Sequence, residues 1–276
     1  MSGPESPAPM LDAARVHEHR GDVAVGGELI VLGETSSTNV VLSELPIQRL
    51  THGLAVVADH QSAGRGRLRR PWFSPPGVNL YTSVYVTGLG EARRAALFVY
   101  AVGLAVADAV AEAIDATPFL KWPNDVHLAG RKLGGILCET HPAPGAGVIV
   151  GIGLNVNVRP EDFPEEIRGH AASLRAHSGH DHDRHRVLGR LYRHLDRRYN
   201  QFVADTAGLL ADWKAAAGVP GVRYQVVQGE RHLAGCARDL SSDGALILET
   251  AEGERAEIFA GDVVAYDDGG PNAFRR

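Results

Sequence analysis

The chain has 276 residues, 44% of them hydrophobic, and a formal net charge of −5, which suffices for one large domain and a small one. That acidic balance argues against a general nucleic-acid binder, which is usually basic overall, so any anion recognition must be local. The most apolar stretch, 95–110, carries Asp108 and precedes Glu112, so neither a signal peptide nor a membrane span is expected.

Residues 1–9 are Pro/Ser-rich and read as a disordered tail, and 11–20 suit one short helix. Segment 1–27 is too short for an N-terminal helix-turn-helix domain. A strand is expected at 28–32, followed by a hydroxyl-rich turn, Ser36-Ser37-Thr38-Asn39, and a helix over 39–50. Ser37 and Thr38 serve either to cap that helix or to bind a ligand. Residues 54–58 form a buried-type strand that runs into Gln61 and the loop 61–72. This loop holds Gly64, Arg65, Gly66, Arg67, Arg69, Arg70 and Trp72, with no acid among them. Glycine lets a backbone approach a ligand and arginine forks grip phosphate or carboxylate, so the loop is either a mobile anion clamp or a solvated turn.

A β-rich stretch at 79–86 and a long Ala-rich helix at 91–116 follow. Residues 119–128 read as strand, turn and strand, then come strands at 133–139 and 148–158. Serial strands with short turns suggest a mixed, largely antiparallel sheet with helices on one face, an α+β fold. Among 28 basic residues only Lys121, Lys132 and Lys214 are lysine. Two of them flank the turn that holds Asn124 and Asp125, which marks that stretch as a second half of a site. Cys138 and Cys236 lie far apart in apolar runs and read as buried free thiols in a reducing cytosol.

The connection 159–186 is polar, and its His180–Asp–His–Asp tract reads as a solvated linker rather than a metal tract. Helices at 187–203 and 207–217 end at a Gly/Pro break, 218–221, which sets the domain boundary. The domains are thus 28–218 and 219–268, with a tail at 269–276. Five short strands between 223 and 266 read as a small SH3-like β-barrel.

No Ser/His/Asp order, CxxC pair, HExxH or Walker-type loop is evident. Mobile arginines and a poised lysine without a protein nucleophile suit a reaction between two anions. Activation of a carboxylate by ATP is such a reaction, and Mg²⁺ is expected to share the work.

The ordered motifs Ser37-Thr38-Asn39, Gln61, Gly64-Arg65-Gly66-Arg67 with Arg70 and Trp72, Lys121-Trp122-Pro123-Asn124-Asp125, Arg131-Lys132-Leu133-Gly134-Gly135 and Gly151-Ile152-Gly153-Leu154-Asn155 resemble those of biotin protein ligases. The resemblance spans about residues 28–268. It implies a catalytic domain like that of class II aminoacyl-tRNA synthetases, synthesis of biotinyl-5′-AMP from biotin and ATP, and transfer to a lysine of a biotin carboxyl carrier domain. By motif position Ser37, Thr38, Asn39, Gln61, Gly64 and Gly134 fall to biotin, with Ser37, Thr38 and Gln61 at its ureido ring. Arg65, Gly66 and Arg67 would cover biotin and the adenylate phosphate. Arg70, Trp72, Asn124 and Asn155 fall to the nucleotide. Lys132 would touch both the biotin carboxylate and the phosphate, with Arg67, Asp125 and Lys121 completing the catalytic set; no protein metal ligand is implied. The chain resembles the shorter class that lacks a DNA-binding domain, so repressor activity, DNA and membranes are not expected, and the location is read as cytoplasmic. A lipoate or octanoate ligase of the same fold is the nearest alternative. A nucleic-acid module built on the arginine loop and barrel is the alternative of a different kind.

Overall fold

A computed structural model describes residues 10–143 and 147–267. The expected disorder at 1–9, the middle of the 141–147 loop and the tail at 269–276 lie outside the described residues. α1 (Ala13–Arg20) begins at Asp12, whose carboxylate accepts the Arg15 N–H. β1 (Leu29–Thr35), α2 (Thr38–Glu44), β2 (Ala55–Gln61) and β3 (Leu80–Val86) follow. α2 stops short of the expected 39–50 because Pro46 forces the residue before it out of helical backbone. Leu45 accordingly sits at φ −65°, ψ 139°, and only a 3-10 turn, Ile47–Arg49, comes after. The expected helix 91–116 is divided into α3 (Ala92–Ala96) and α4 (Phe98–Ala113).

β4 (Phe119–Lys121), β5 (Asp125–Leu128), β6 (Arg131–Thr140) and β7 (Val148–Leu154) complete a seven-stranded sheet of order β1-β2-β3-β7-β6-β5-β4. β1 and β2 pair in parallel, joined by the α2 crossover. The other ladders of this sheet are antiparallel, so the expected mixed, largely antiparallel sheet is present. The polar connection after β7 holds two short helices, α5 (Glu165–Arg168) and α6 (Leu174–Ser178), before α7 (Arg184–Ala204) and α8 (Thr206–Ala216).

Alternation along the strands assigns the two faces of the sheet. Val57, Val84, Val86 and Val150 join the main core with α4 and α7, while Val56, Tyr85 and Ile149 point the other way and pack with Leu42 of α2. The thick helical layer therefore covers one face, and short α2 shares the other with the site. The stretch Arg93–Ala113 is long and apolar enough to cross a membrane, but 67% of its most apolar window is buried inside the fold, as in a core helix.

The small domain has its five strands, β8 (Arg223–Gln228), β9 (Arg231–Leu240), β10 (Leu246–Glu249), β11 (Arg255–Ile258) and β12 (Asp262–Asp267). They form an antiparallel sheet of order β11-β10-β9-β8-β12. The expected SH3-like barrel is incorrect, because β11 and β12 are opposite edges of an open sheet and do not pair. β11 offers only a short edge, and β12 is instead engaged by the large domain. Lys121 Nζ donates to Val263 O at 3.4 Å, Tyr266 stacks on Phe119 with ring centroids 5.4 Å apart, and Asp262 pairs with Arg70.

Candidate active site

The site lies on the α2 face of the large sheet, where glycine replaces side chains at adjacent strand positions. Gly135 of β6 is opposite Gly153 of β7, and Gly151 is opposite Leu137. A Cβ at Gly153 would stand 2.5 Å from the Trp72 indole, and one at Gly151 would stand 2.3 Å from Asn39 Oδ1. The missing side chains leave a trough into which Trp72 and Asn39 descend. Together with the loop above them they frame a cleft of about 330 Å³.

One end of the cleft is lined by polar, uncharged side chains, whose hydrogen bonds lead through Asn39 to the carboxylate of Glu139, which does not itself line the cleft. Ser37, Thr38 and Asn39 are all buried at the start of α2. Ser37 occupies the N-cap position but makes no capping hydrogen bond with its side chain, so the capping role expected as its alternative is not what holds it. Gln61 Oε1 accepts the Thr38 N–H at 2.9 Å. Thr38 Oγ1 lies 2.6 Å from Ser83 Oγ, which donates to Asn39 Oδ1 at 2.6 Å, and Asn39 Nδ2 donates to Glu139 Oε2 at 2.6 Å.

The other end is ionic. Lys132 Nζ is 2.7 Å from Asp125 Oδ1 and 5.5 Å from the centroid of the Trp72 ring. Burial pushes the Asp125 carboxyl up, but Lys132, then His127 and Lys121, hold it on balance below the ordinary carboxylate value. Burial lowers the buried Lys121 ammonium, with Asp125 opposing and Lys132 adding to the fall. Lys121 also lies over the Tyr266 ring, 5.0 Å from its centroid. Behind Asp125, burial drives His127 down to about 3, and the ring pairs with Tyr266 Oη at 2.9 Å through Nδ1.

The arginine loop forms the roof as a small hairpin. Gly66 N donates to Arg70 O at 2.8 Å and Trp72 N to Gly64 O at 2.9 Å. Its tip, Leu68 and Arg69, has φ of 55° and 58°, a left-handed backbone that costs about 1–2 kcal/mol per non-glycine residue. Arg67 Nη1 donates to Asn124 Oδ1 at 3.2 Å, Asn124 Nδ2 donates to Ile136 O at 2.6 Å, and Arg70 makes a two-pronged ion pair with Asp262.

The fold thus gathers Ser37, Thr38, Asn39, Gln61, Arg65, Gly66, Arg67, Arg70, Trp72, Lys121, Asn124, Asp125, Lys132 and Asn155 around one cleft, although they are scattered from position 37 to position 155 of the sequence. Gly64 and Gly134 do not line it. A Cβ on Gly64 would meet Ser74 Oγ at 2.5 Å, and one on Gly134 would meet Gly153 O at 3.0 Å, so both allow close packing beneath the site. Asn155 lies at the wall with its amide committed to protein at both ends, to Asn79 and to Ala172 O. Sequence reasoning missed Ser83, Glu139 and Asp262. Alternation on β3 and β6 offered a weak signal for the first two, and nothing local marks Asp262, which the small domain delivers.

Among the described residues no group of three or more His, Cys, Asp or Glu side chains is placed to hold a metal ion. In the His/Asp tract, His180 and His182 both face Ser178 Oγ, at 2.8 and 2.7 Å. Cys138 and Cys236 are free thiols, each half-buried rather than fully buried.

A sheet-floored cleft with hydroxyls and amides at one end, and an arginine roof over a lysine–carboxylate pair at the other, defines a ligase-type α+β enzyme. Residues 31–157 match the model of the Biotin/lipoate A/B protein ligase family, and residues 225–266 that of the Biotin protein ligase C terminal domain. The biotin–[acetyl-CoA-carboxylase] ligase of Mycobacterium tuberculosis is 36% identical over 243 residues, covering 86% of this chain and 88% of the relative. The bifunctional ligase/repressor of Bacillus subtilis is 32% identical over 244 residues, 87% of this chain and 74% of its own length. Among solved structures, the biotin protein ligase of Aquifex aeolicus in complex with biotin and ATP is similar with a TM-score of 0.74 and 33% identity, covering 85% of this chain and 96% of that one. The chain belongs to the biotin protein ligase family.

Proposed function

We propose that the protein is an ATP-dependent ligase that joins biotin and ATP as biotinyl-5′-AMP, releasing pyrophosphate, and then passes the biotinyl group to a lysine amine of a biotin carboxyl carrier domain, releasing AMP. The observation that carries this reading is the two-ended polarity of the cleft, where hydroxyl and amide groups at Thr38 and Gln61 face a cationic end at Lys132 and Arg67. The first end suits the cyclic urea of biotin, and the second suits a carboxylate and a phosphate brought together.

In this reading the biotin carboxylate attacks the α-phosphorus, and both reactants are anions. Lys132, oriented by Asp125, neutralises their repulsion and stabilises charge on the phosphoryl oxygens. Arg65 and Arg67 cover the adenylate from the roof hairpin, which opens to admit substrate and folds down over the intermediate. Arg70 and Trp72 stand on the nucleotide side, with Asn124 and Asn155 at its wall, and Lys121 adds positive charge beside Lys132. Residues 28–218 form the catalytic unit and 219–268 a small C-terminal domain, with position 268 beyond the described residues. Mg²⁺ is a hard cation that keeps water and phosphate oxygens as ligands, and it would arrive with ATP. Among the described residues no group of three or more His, Cys, Asp or Glu side chains is placed to hold it. A cytoplasmic location fits the two free thiols.

The test is pyrophosphate release by the purified protein with ATP and biotin, lipoate or octanoate in turn, followed by transfer to a carrier domain. Release with biotin alone is the expected result. Release with lipoate and not with biotin would overturn the assignment.

A further inference from the structure

The polar end of the cleft is a single chain of hydrogen bonds that terminates on a charge. We infer that Glu139, on β6, is a positioning residue that fixes which atoms at this end donate and which accept, and thereby selects an acid carrying N–H groups there. The inference rests on the biotin reading above and adds a residue to it.

An ionised carboxylate only accepts hydrogen bonds. Asn39 must therefore turn its Nδ2 to Glu139 Oε2, at 2.6 Å, which leaves its Oδ1 to face Ser83. Because Oδ1 carries no hydrogen, Ser83 must donate to it, also at 2.6 Å. Ser83 has then spent its only hydrogen, so in the 2.6 Å contact with Thr38 Oγ1 the threonine is the donor. Gln61 Oε1 already takes the Thr38 N–H and lies farther from Thr38 Oγ1, at 3.2 Å. The threonine hydroxyl thus has a lone pair and no hydrogen left for a ligand, and the ligand group that fits it is an N–H donor such as that of a cyclic urea. An alkyl chain or a dithiolane leaves this lone pair unpaired in a buried site, which costs affinity. The carboxylate is what keeps the chain pointing one way, since hydroxyls and amides alone read equally well in reverse.

Glu139→Gln keeps the shape and removes that bias, because a glutamine amide can donate to Asn39 Oδ1 and let the chain run backwards. Calorimetric binding of biotin and of ATP to the full chain is the measurement. Glu139→Gln is expected to weaken biotin about tenfold or more, the equivalent of one charge-assisted hydrogen bond, with ATP affinity unchanged. Asn39→Asp alone sets two carboxylates face to face and should be worse. Combining Asn39→Asp with Glu139→Gln restores the direction, because the carboxylate introduced at position 39 accepts both from Ser83 and from the amide introduced at position 139. Biotin binding in the combined variant should recover to within about threefold of wild type. Biotin affinity unchanged in Glu139→Gln, or a combined variant no better than Asn39→Asp, would overturn the inference. Wild-type protein that binds no biotin in the same experiment would instead overturn the functional reading on which it rests.

Discussion

The indole of Trp72 occupies the space that a side chain on Gly153 would fill, with its ring 2.5 Å from the position of that missing Cβ. Gly153→Ala should therefore lift Trp72 from the floor of the cleft. Overpacking of this kind costs about 1–3 kcal/mol, and the kinetic effect should fall on KM for ATP more than on KM for biotin. Thermal melting and the two KM values measured separately would check it. An unchanged KM for ATP would remove Trp72 from the nucleotide side.

Lys132 is held 2.7 Å from Asp125 and is partly open to the cleft. Lys132→Ala should lower adenylate formation by about 10²–10³, the range typical for removing a group that stabilises charge in a transition state. The chain should still fold, because the ammonium supports no core packing, but with some loss of stability as Asp125 loses the cation that offsets its burial. Isotope exchange between pyrophosphate and ATP, beside a melting curve, separates the two effects, and full activity would disprove the assigned role.

Arg67 reaches from the roof to Asn124 at 3.2 Å. Arg67→Gly breaks that tether, so biotinyl-AMP should escape about tenfold faster, the equivalent of one hydrogen bond to a charged group, while its synthesis is less affected. Release of labelled adenylate into excess unlabelled biotin and ATP reads this directly. Retention equal to wild type would mean the roof is held by other contacts.

His127 gives the fold a pH dependence of defined sign. Its pKa falls from 6.5 to about 3 through burial, so between those values the unfolded chain binds a proton that the folded chain does not. Stability is therefore whole above pH 6.5 and declines as pH falls towards 3. Asp125, whose folded pKa is depressed, adds its own loss only in the lower part of that range. Denaturant melts of wild type and His127→Asn between about pH 7 and 5 should show the slope diminished in the variant. Equal slopes would place the titration elsewhere.

The motif residues were legible because local chemistry demands them in sequence. Gly151 and Gly153 must lack side chains to admit Asn39 and Trp72, Arg67 must reach over the cleft, and Lys132 must follow the turn that brings it beside Asp125. The strands were legible from their apolar alternation, and α2 ended early only because Pro46 took precedence over helical periodicity. Sequence by itself thus determined the element types, the family and most of the residues that face the cleft. Tertiary structure decided the rest. Whether five short strands close into a barrel depends on what their edges meet, and here β12 meets Lys121, Arg70 and Phe119 instead of β11. The same applies to Glu139, which lies 100 residues from the asparagine it orients. No local pattern encodes a hydrogen bond between the start of helix α2 and strand β6, because only the packing of that helix on the sheet brings such partners together.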